Sequence, residues 1–284
     1  MSAVHTATSL NQALEMLAQY PEAQLMAGGT DLLVRRRSSM SGSDILFLGR
    51  VPELQDITEQ SEFLAIGAAA SLRCIIADPL VKQYAPLLVQ ALGTIGGPAI
   101  RNMATLGGNI CTASPAGDSL PPLYLLDARI ELVSRTGTRS VPIASFIHGP
   151  GQTARHNHEL VSRILLPKVR PLAQEQFVKI GCRQALAIAV ASFAGQAELD
   201  ERGHLAHIRM AWGSVGPTVM RLPALENELT GASITPKHIN YIRAALRTGL
   251  APISDGRASA TYRYQVAANV TARFVEGLRE TSQS

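Results

Sequence analysis

The stretch "NMATLGGNICTASPAGD" occupies residues 102–118, and "AQLMAGGTDLL" occupies residues 23–33. In each stretch a strand-like apolar run is broken by a Gly-Gly pair, so we expect a short strand and then a tight turn. A threonine lies beside each pair, Thr30 in one stretch and Thr105 in the other. Glycines let backbone N–H groups approach a diphosphate closely, and a threonine hydroxyl adds a donor. Both stretches are therefore candidate phosphate-binding turns.

The same patterns also fit two purely structural turns, in which glycine supplies a positive φ angle. The first stretch lacks the Gly-Lys-Ser/Thr ending of a Walker loop, and neither stretch has the spacing of a GxGxxG dinucleotide fingerprint. The run from Asp31 to Arg37 favours a helix, whose positive end would point at the first turn. From spacing alone, structural and diphosphate-binding turns both remain open.

The composition is that of a globular protein with room for two or three compact units, because 46% of the 284 residues are hydrophobic and 17% are charged. The formal net charge is +4, but Val34–Arg37 is the only dense basic run and 5% of residues are aromatic, so we expect no nucleic-acid partner. No apolar run is long enough for a membrane span, and the first ten residues lack an apolar signal core. These features predict a cytoplasmic protein.

The cysteines predict neither a disulfide framework nor a metal cluster. Cys74, Cys111 and Cys182 are an odd, widely spaced set, which fits a reducing compartment. They are also fewer than the four thiolates that an iron–sulfur cluster normally needs. This chain should therefore not carry a cluster alone.

The remaining candidate side chains predict no metal site and no catalytic residue. The HxH at 156–158 and the HxxH at 204–207 lie in polar segments without a third ligand nearby, so we expect surface histidines. Ser114 and Ser119 show no nucleophile elbow. Trp212 is an isolated aromatic in a predicted strand and should lie in the core.

Strands and helices are mixed along the chain without steady βαβ alternation, which predicts an α+β fold. Ser9 and Gln12 form a capping box for a helix that ends at Tyr20–Pro21. The run "RIELVSRTGTRSVPI" predicts a hairpin around Thr136–Gly137. The proline-rich stretch 167–176 predicts a domain boundary, beyond which we expect an antiparallel sheet turning through "DERG" and then two helices.

Three runs carry a resemblance to a known family: "LMAGGTDLL", "IGGPAIRNMATLGGNICTASPAGDSLPPLYLLDARIEL" and "SDGRASATYRY". They resemble the FAD-binding subunit of the molybdenum hydroxylases, the xanthine dehydrogenase and carbon monoxide dehydrogenase flavoprotein family, and especially the separate FAD chain of bacterial xanthine dehydrogenases. The resemblance implies a two-lobed FAD-binding domain of the PCMH type over residues 1–170, with lobes at about 1–60 and 61–170. A C-terminal domain of the CO dehydrogenase flavoprotein type would cover 171–284.

The resemblance also implies how FAD is bound, without a covalent link. Each lobe would contribute one glycine turn to the pyrophosphate. Ile95 would line the flavin, Asp118 would accept a hydrogen bond from hydroxyls, Leu160 would make an apolar contact, and Lys179 would bring a cation to the cofactor. The implied cofactor contacts are Gln24, Leu25, Met26, Ala27, Gly28, Gly29, Thr30, Asp31, Ile95, Ala104, Thr105, Leu106, Gly107, Gly108, Asn109, Asp118, Leu160 and Lys179.

The chain departs from the family pattern at one position. Many relatives read Arg-x-Ala-x-Asp-Ile-Ala after the lysine, whereas "RQALAIA" places Ala187 where the aspartate would be. A role of that acid in flavin tuning or gating is therefore not expected here.

The resemblance implies an oxidoreductase subunit that works inside a complex. A large subunit would hold a molybdenum cofactor, a small subunit would hold two iron–sulfur clusters, and this chain would pass electrons through FAD to NAD or another acceptor. Two alternatives stay open: a stand-alone FAD-dependent oxidase, and an assembly subunit without flavin. Against the first, the C-terminal region is short for a substrate-capping domain.

Overall fold

The computed structural model describes residues 3–38 and 42–281, in two compact units. Unit 1 comprises residues 1–84, 95–113 and 127–168, and unit 2 comprises residues 85–94, 114–126 and 169–284. The C-terminal unit thus includes two short segments from the N-terminal half of the chain. The boundary at residue 170 and the division into lobes stay predictions.

The strands of the described residues are short in the first half of the chain and longer in the second. They are β1 Val4–Thr6, β2 Gln24–Met26, β3 Ile45–Phe47, β4 Ile57–Glu59, β5 Phe63–Gly67, β6 Arg129–Ser134, β7 Gly137–Pro142, β8 Ile147–Gly149, β9 Gln152–Thr153, β10 Leu160–Pro167, β11 Gln174–Gly181, β12 Ala189–Leu199, β13 Leu205–Gly213 and β14 Met220–Arg221. The helices are α1 Leu10–Gln19, α2 Leu32–Ser38, α3 Leu72–Ala77, α4 Pro79–Tyr84, α5 Pro86–Gly93, α6 Pro98–Met103, α7 Leu106–Thr112, α8 Leu120–Leu125, α9 Ile143–Phe146, α10 Pro223–Leu229, α11 Pro236–Gly249 and α12 Ala260–Thr281. A single 3₁₀ turn covers Pro52–Leu54.

Unit 1 contains two main sheets. A parallel sheet of three strands has the order β1–β3–β2, and an antiparallel sheet of five strands has the order β4–β5–β10–β6–β7. The predicted helix after Ser9 is confirmed: the Ser9 hydroxyl accepts a hydrogen bond from Gln12 N at 3.2 Å, and the helix stops before Tyr20. The predicted hairpin is confirmed as β6 and β7, with Ser134 paired to Gly137.

In unit 1 the Glu59 carboxylate binds two side chains, Tyr84 and Lys168, each at the end of a chain segment. Glu59 Oε1 accepts a hydrogen bond from the Tyr84 hydroxyl at 3.0 Å and from Lys168 Nζ at 2.7 Å. Tyr84 and Lys168 are the last residues of unit 1 before the chain passes into unit 2. The Lys168 ammonium also lies 5.7 Å from the centre of the Tyr84 ring, so the three side chains form one cluster.

Unit 2 is built on an antiparallel sheet with the order β11–β12–β13–β14, and the strands predicted around "DERG" are confirmed as β12 and β13. Successive side chains of a strand point to opposite faces, so the neighbours Ser192 and Phe193 face different layers. Phe193 packs against Phe274 of α12, with ring centres 5.3 Å apart. Trp212 is fully buried on that same face, where its Nε1 donates to Thr271 at 2.9 Å. The segments containing α5 and α8 pack against the sheet as well.

The structure corrects the secondary structure expected around the second glycine pair. The run from 102 to 106 is not a strand, because it contains the end of α6 and the start of α7, and Gly107–Gly108 lie in the first turn of α7 rather than in a tight turn. Pro98 at the start of α6 and Thr105 as the cap of α7 supply the helix signals that outweigh the low helix propensity of two glycines. A third C-terminal helix, α10, was also missed, although Pro223 begins it.

Val34 and Arg35 of the basic run are exposed on α2, whereas the side chains of Arg36 and Arg37 lie outside the described part of the structure. Among the described residues, none of the helices combines the length and the apolar character that crossing a membrane requires.

Candidate functional site

The two glycine-containing segments meet within unit 1. A Cβ atom placed on Gly28 would lie 1.8 Å from the carbonyl oxygen of Met103, so the main chains of the two segments are in direct contact there. The Thr112 hydroxyl donates to Asp31 Oδ2 at 3.0 Å, which ties the end of α7 to the start of α2. Segments that are about 80 residues apart in sequence thus form one surface.

The first glycine pair has two different structural requirements. Gly28 must lack a side chain because of the Met103 carbonyl, whereas Gly29 has a φ of +70°. The φ of Gly29 lets the chain turn from β2 into α2, which begins at Leu32. Residues 24–30 are half-buried and Asp31 is exposed, so this segment retains accessible surface.

The second glycine pair has neither positive φ nor a tight turn, so the expectation of positive φ is correct for Gly29 alone among these four glycines. The Thr105 hydroxyl accepts a hydrogen bond from Gly108 N at 3.2 Å and caps α7. A Cβ on Gly107 would lie 2.6 Å from the Ala68 carbonyl oxygen, so Gly107 is required by packing. A Cβ on Gly108 would meet only Thr105 Oγ1, at 2.9 Å. Packing therefore requires a glycine at 107 more strictly than at 108.

The other candidate residues of unit 1 differ in accessibility. Ile95 is half-buried, and its carbonyl accepts a hydrogen bond from Arg101 Nη1 at 3.0 Å. Leu106 and Leu160 have no exposed surface, and Leu160 packs in an apolar cluster with residues such as Leu46. A ligand contact at Leu106 or Leu160 would therefore require a local movement that exposes the residue. Ala104 and Asn109 remain half-buried.

In unit 2 the remaining two candidates, Asp118 and Lys179, form a buried ion pair. Lys179 Nζ lies 2.6 Å from Asp118 Oδ2, and the side chains are 10% and 7% exposed, respectively. Nζ also donates to the Thr94 carbonyl at 3.1 Å. Burial raises the pKa of the Asp118 carboxyl above its ordinary value, and the hydrogen bond from Lys179 opposes that rise.

One oxygen of this buried carboxylate has no partner in the described part of the chain. Asp118 Oδ1 is inaccessible to solvent and lacks a hydrogen bond within the described residues. A buried carboxylate oxygen left without a donor is costly, so this atom is suited to accept a hydrogen bond from a ligand hydroxyl.

The segment with Ala187 contains no carboxylate. It follows β11 and includes Leu186, which has a φ of +54° and is 55% exposed, and Ile188, which is 52% exposed. The methyl group of Ala187 lies 2.5 Å from where a Cβ on Gly181 would be. The loop is not uncharged, because it contains Arg183, whose Nη2 donates to the Leu186 carbonyl at 2.6 Å, but it carries no acid at position 187.

The histidines of the HxH and HxxH patterns are accessible, as expected. The rings of His156 and His158 stack 5.6 Å apart on the surface, and His204 pairs with Asp200 at 3.5 Å. Within residues 3–38 and 42–281, no group of three side chains is arranged to hold a metal ion.

Several contacts at the site were not predicted from sequence. Met103 and Thr94 act through their carbonyl oxygens, and main-chain contacts carry no residue-type signal. Two further contacts join residues that are remote in sequence, so no local sequence pattern predicts them. They are the hydrogen bond between Thr112 and Asp31 and the ion pair between Asp118 and Lys179.

Comparison with known proteins identifies the family to which this chain belongs. Residues 1–169 match the family described as "FAD binding domain in molybdopterin dehydrogenase", and residues 176–278 match "CO dehydrogenase flavoprotein C-terminal domain". This chain belongs to the FAD-binding subunits of the molybdenum hydroxylase family. The two matches together cover most of its length, and they make the chain an oxidoreductase subunit whose cofactor is FAD.

Individual relatives agree with the assignment to these FAD-binding subunits. The chain is 32% identical to the xanthine dehydrogenase FAD-binding subunit of Escherichia coli O157:H7, with 95% of this chain and 94% of that protein covered. It is 27% identical to the nicotinate dehydrogenase FAD-subunit of Eubacterium barkeri, with 90% and 88% covered. Its fold is similar to that of carbon monoxide dehydrogenase from Hydrogenophaga pseudoflava, with a TM-score of 0.89, 28% identity, and coverage of 96% and 95%. The predicted family and the α+β fold are thereby confirmed.

Proposed function

We propose that this chain transfers electrons between partner subunits and a soluble acceptor, with FAD held by the residues that the sequence pattern assigns to it. In unit 1 the proposed contacts are residues 24–31, Ile95, residues 104–109 and Leu160. In unit 2 they are Asp118 and Lys179. The observation that carries the proposal is the direct contact of the two glycine segments at Gly28, which brings both candidate phosphate-binding turns onto one surface.

The residues present fit such a cofactor. The glycine segments offer main-chain groups without obstructing side chains, and Gly108 and Asn109 keep accessible surface at the start of α7. Asp118 Oδ1 is a buried acceptor that requires a donor, as a ribityl or ribose hydroxyl would supply. The Lys179 ammonium balances the carboxylate charge and fixes its orientation.

FAD when bound supplies the chemistry of accepting electrons singly and delivering them in pairs. The chain's own residues bind and orient it: the glycine segments would hold the diphosphate, and the Asp118–Lys179 pair would hold a hydroxyl and a nearby charge. The loop with Ala187 places no acid at a position where many relatives have one, so gating by that acid is absent from this proposal.

We propose further that the electrons come from two iron–sulfur clusters of a small subunit, which receive them from a molybdenum-containing large subunit, and that NAD or another acceptor takes them up. The names of the relatives support a subunit role, since they are called FAD-binding subunits of dehydrogenases. The sequence contains three cysteines, fewer than one cluster normally needs. A cytoplasmic location stays a prediction.

The test uses the purified chain and its reconstituted complex. We expect the isolated chain to bind one FAD and not to oxidise hypoxanthine, xanthine or an aldehyde, because the oxidation step needs the metal centres of the partners. Addition of the large and small subunits should restore turnover, and if NAD is the acceptor, NADH should reduce the flavin of the isolated chain. Substrate oxidation by the metal-free chain would overturn the proposal in favour of a stand-alone oxidase, and absence of FAD would favour an assembly subunit.

A further inference from the structure

A row of three residues crosses the sheet of unit 2 at the Asp118–Lys179 pair. Lys179 on β11 is the direct partner of Ser192 on β12, and Ser192 is the direct partner of Gly213 on β13. Directly paired residues of antiparallel strands point to the same face, with Cβ atoms about 5 Å apart. Ser192 therefore lies on the face that carries the ammonium-bearing side chain.

Ser192 also lies beneath the segment that carries Asp118. A Cβ placed on Gly213 would be 2.4 Å from Ser192 Oγ, 3.1 Å from Pro121 Cγ and 3.6 Å from the Pro115 carbonyl oxygen. The hydroxyl thus occupies the space that the missing side chain of Gly213 leaves, under residues 115–121. Ser192 is 3% exposed, and its Oγ has no hydrogen-bond partner within the described residues.

Three hydrogen-bonding positions are therefore incomplete in one small region. Lys179 Nζ has three N–H donors, of which Asp118 Oδ2 and the Thr94 carbonyl take two. Asp118 Oδ1 and Ser192 Oγ have no hydrogen-bond partner among residues 3–38 and 42–281. Burying polar groups without partners is costly, and native proteins normally satisfy them with protein groups or an ordered molecule.

We propose that one hydroxyl group, of a bound water or of the FAD cofactor, bridges Asp118 Oδ1, Ser192 Oγ and the third N–H of Lys179, which makes Ser192 a positioning residue for the ion pair. The bridging group accepts from the ammonium, donates to the carboxylate and shares a hydrogen bond with the serine. A water spans groups about 5–6 Å apart, because each hydrogen bond is about 2.8 Å long. The case in which the bridging hydroxyl belongs to FAD rests on the proposed function.

The charges of the region favour a neutral hydroxyl over an ion. Asp118 and Lys179 already neutralise each other, so an added anion would face the carboxylate and an added cation would face the ammonium. A hydroxyl both donates and accepts, which matches the carboxylate acceptor, the ammonium donor and a serine hydroxyl that can donate to it.

Substitution of Ser192 distinguishes a bridged hydroxyl from a merely unpaired one. Without a bridge, Ser192→Ala removes a buried hydroxyl that has no partner, and the protein should become more stable. With the bridge, Ser192→Ala should raise the equilibrium constant for unfolding about fivefold, the effect of one lost hydrogen bond. Ser162→Ala is the matched control for stability and FAD affinity, because Ser162 is a buried strand serine in unit 1 with its hydroxyl bonded to Glu131 at 2.6 Å.

A double-mutant cycle tests whether Ser192 acts through the ion pair. The background is Lys179→Met combined with Asp118→Asn, which removes both charges together so that neither is left buried alone. In urea unfolding without FAD, Ser192→Ala should lose its destabilising effect in this background. Because no FAD is present, an equal destabilisation in both backgrounds, or a stabilising effect in the natural protein, would overturn a bridge made by water.

Crystal structures with and without FAD identify the bridging group. An oxygen within hydrogen-bonding distance of both Ser192 Oγ and Asp118 Oδ1 in both crystals would be a water, and one present as a cofactor hydroxyl only with FAD would be the ligand. If neither crystal shows an oxygen that bridges Ser192 Oγ and Asp118 Oδ1, the proposal is wrong. In fluorescence titration Ser192→Ala should weaken FAD binding about fivefold, with Ser162→Ala unchanged. A chain that binds no FAD would refute the proposed function. The double-mutant cycle in urea would still decide whether a water bridges Ser192 and Asp118.

Discussion

The glycine segments of unit 1 and the ion pair of unit 2 are opposite kinds of surface. Residues 24–31 and 104–109 offer mainly main-chain atoms, and their geometry depends on side chains that are missing at Gly28 and Gly107. Asp118 and Lys179 offer charged side-chain atoms, with their positions fixed by burial and by one carboxylate–ammonium contact. The first region is defined by the shape of its main chain and the second by its charges.

This difference in surface type predicts which changes should disrupt each region. A main-chain surface does not titrate but tolerates no added atoms where backbones touch, so substitution should damage it through sterics. A buried charged pair is sensitive to the removal of one charge or to the uptake of a proton. The following experiments separate these two kinds of sensitivity.

Gly28→Ala should have the largest effect. The new Cβ would lie 1.8 Å from the Met103 carbonyl oxygen, so the two segments must move apart. We expect the free energy of unfolding to fall by more than about 3 kcal/mol, together with loss of FAD retention. Thermal unfolding and flavin absorbance measure both. Gly42→Ala, where a Cβ would meet nothing within 4 Å, is the control, and an unchanged melting temperature for Gly28→Ala would contradict the contact.

Lys179→Met should destabilise unit 2 by about 3 kcal/mol, because it leaves the Asp118 carboxylate buried without a cation. Since burial already raises the pKa of Asp118, the carboxyl can take up a proton, which limits the loss. Urea unfolding at neutral pH measures the effect. Addition of Asp118→Asn to Lys179→Met should restore most of the stability; a further loss would show that the charges are not coupled.

The affinity for FAD should fall as the pH is lowered, and this effect should come from unit 2. If the ionised Asp118 accepts a hydroxyl of FAD directly or through the bridging water, protonation removes a charge-assisted hydrogen bond and should weaken binding about tenfold. Because the pKa of Asp118 is raised, the loss should begin above the ordinary aspartate range near about 3.9. Fluorescence titration between mildly acidic and neutral pH measures it. Asp118→Asn should flatten the profile, and an unflattened profile would assign the pH dependence elsewhere.

The smallest effects on stability are expected at Gly29 and Gly108. Gly29→Ala should cost about 1 kcal/mol, because its φ of +70° is unfavourable for residues with a Cβ. Gly108→Ala should change stability by less than about 0.5 kcal/mol, because the helix gains propensity while its Cβ crowds only Thr105 Oγ1. A severalfold loss of FAD affinity in Gly108→Ala with unchanged melting temperature would show ligand approach at that backbone; unchanged affinity would make Gly108 dispensable.

The sequence predicts those parts of the fold that local rules control. The Ser9 cap, the hairpin at 129–142 and the strands around "DERG" all follow from short patterns, and all are confirmed. The second glycine pair shows the limit of such patterns, because the same dipeptide forms a left-handed turn at Gly29 and a helix start at Gly107. The neighbouring cap and the packing against Ala68 decide the outcome, and only the folded structure contains that packing.

The candidate site was less predictable than the fold. Its residues were assigned from a family resemblance rather than from spacing, and their role as cofactor contacts is still a proposal. The Asp118–Lys179 pair spans 61 positions of sequence, and Ser192 has the appearance of an ordinary strand residue. Pairing across β11 and β12 brings Ser192 to Lys179, which is a property of strand register rather than of residue type.

The cluster around Glu59 has a consequence for proteolysis. The connection after β10 carries two basic residues, Lys168 and Arg170, at which trypsin would be expected to cut. The ammonium of Lys168 is engaged by Glu59 at 2.7 Å, and Arg170 is followed by Pro171, before which trypsin does not cleave. The main chain of Lys168 is held as well, because its N–H donates to the Glu62 carbonyl at 2.9 Å. Glu59→Gln should free the Lys168 side chain and increase nicking after Lys168, visible as two fragments on a gel.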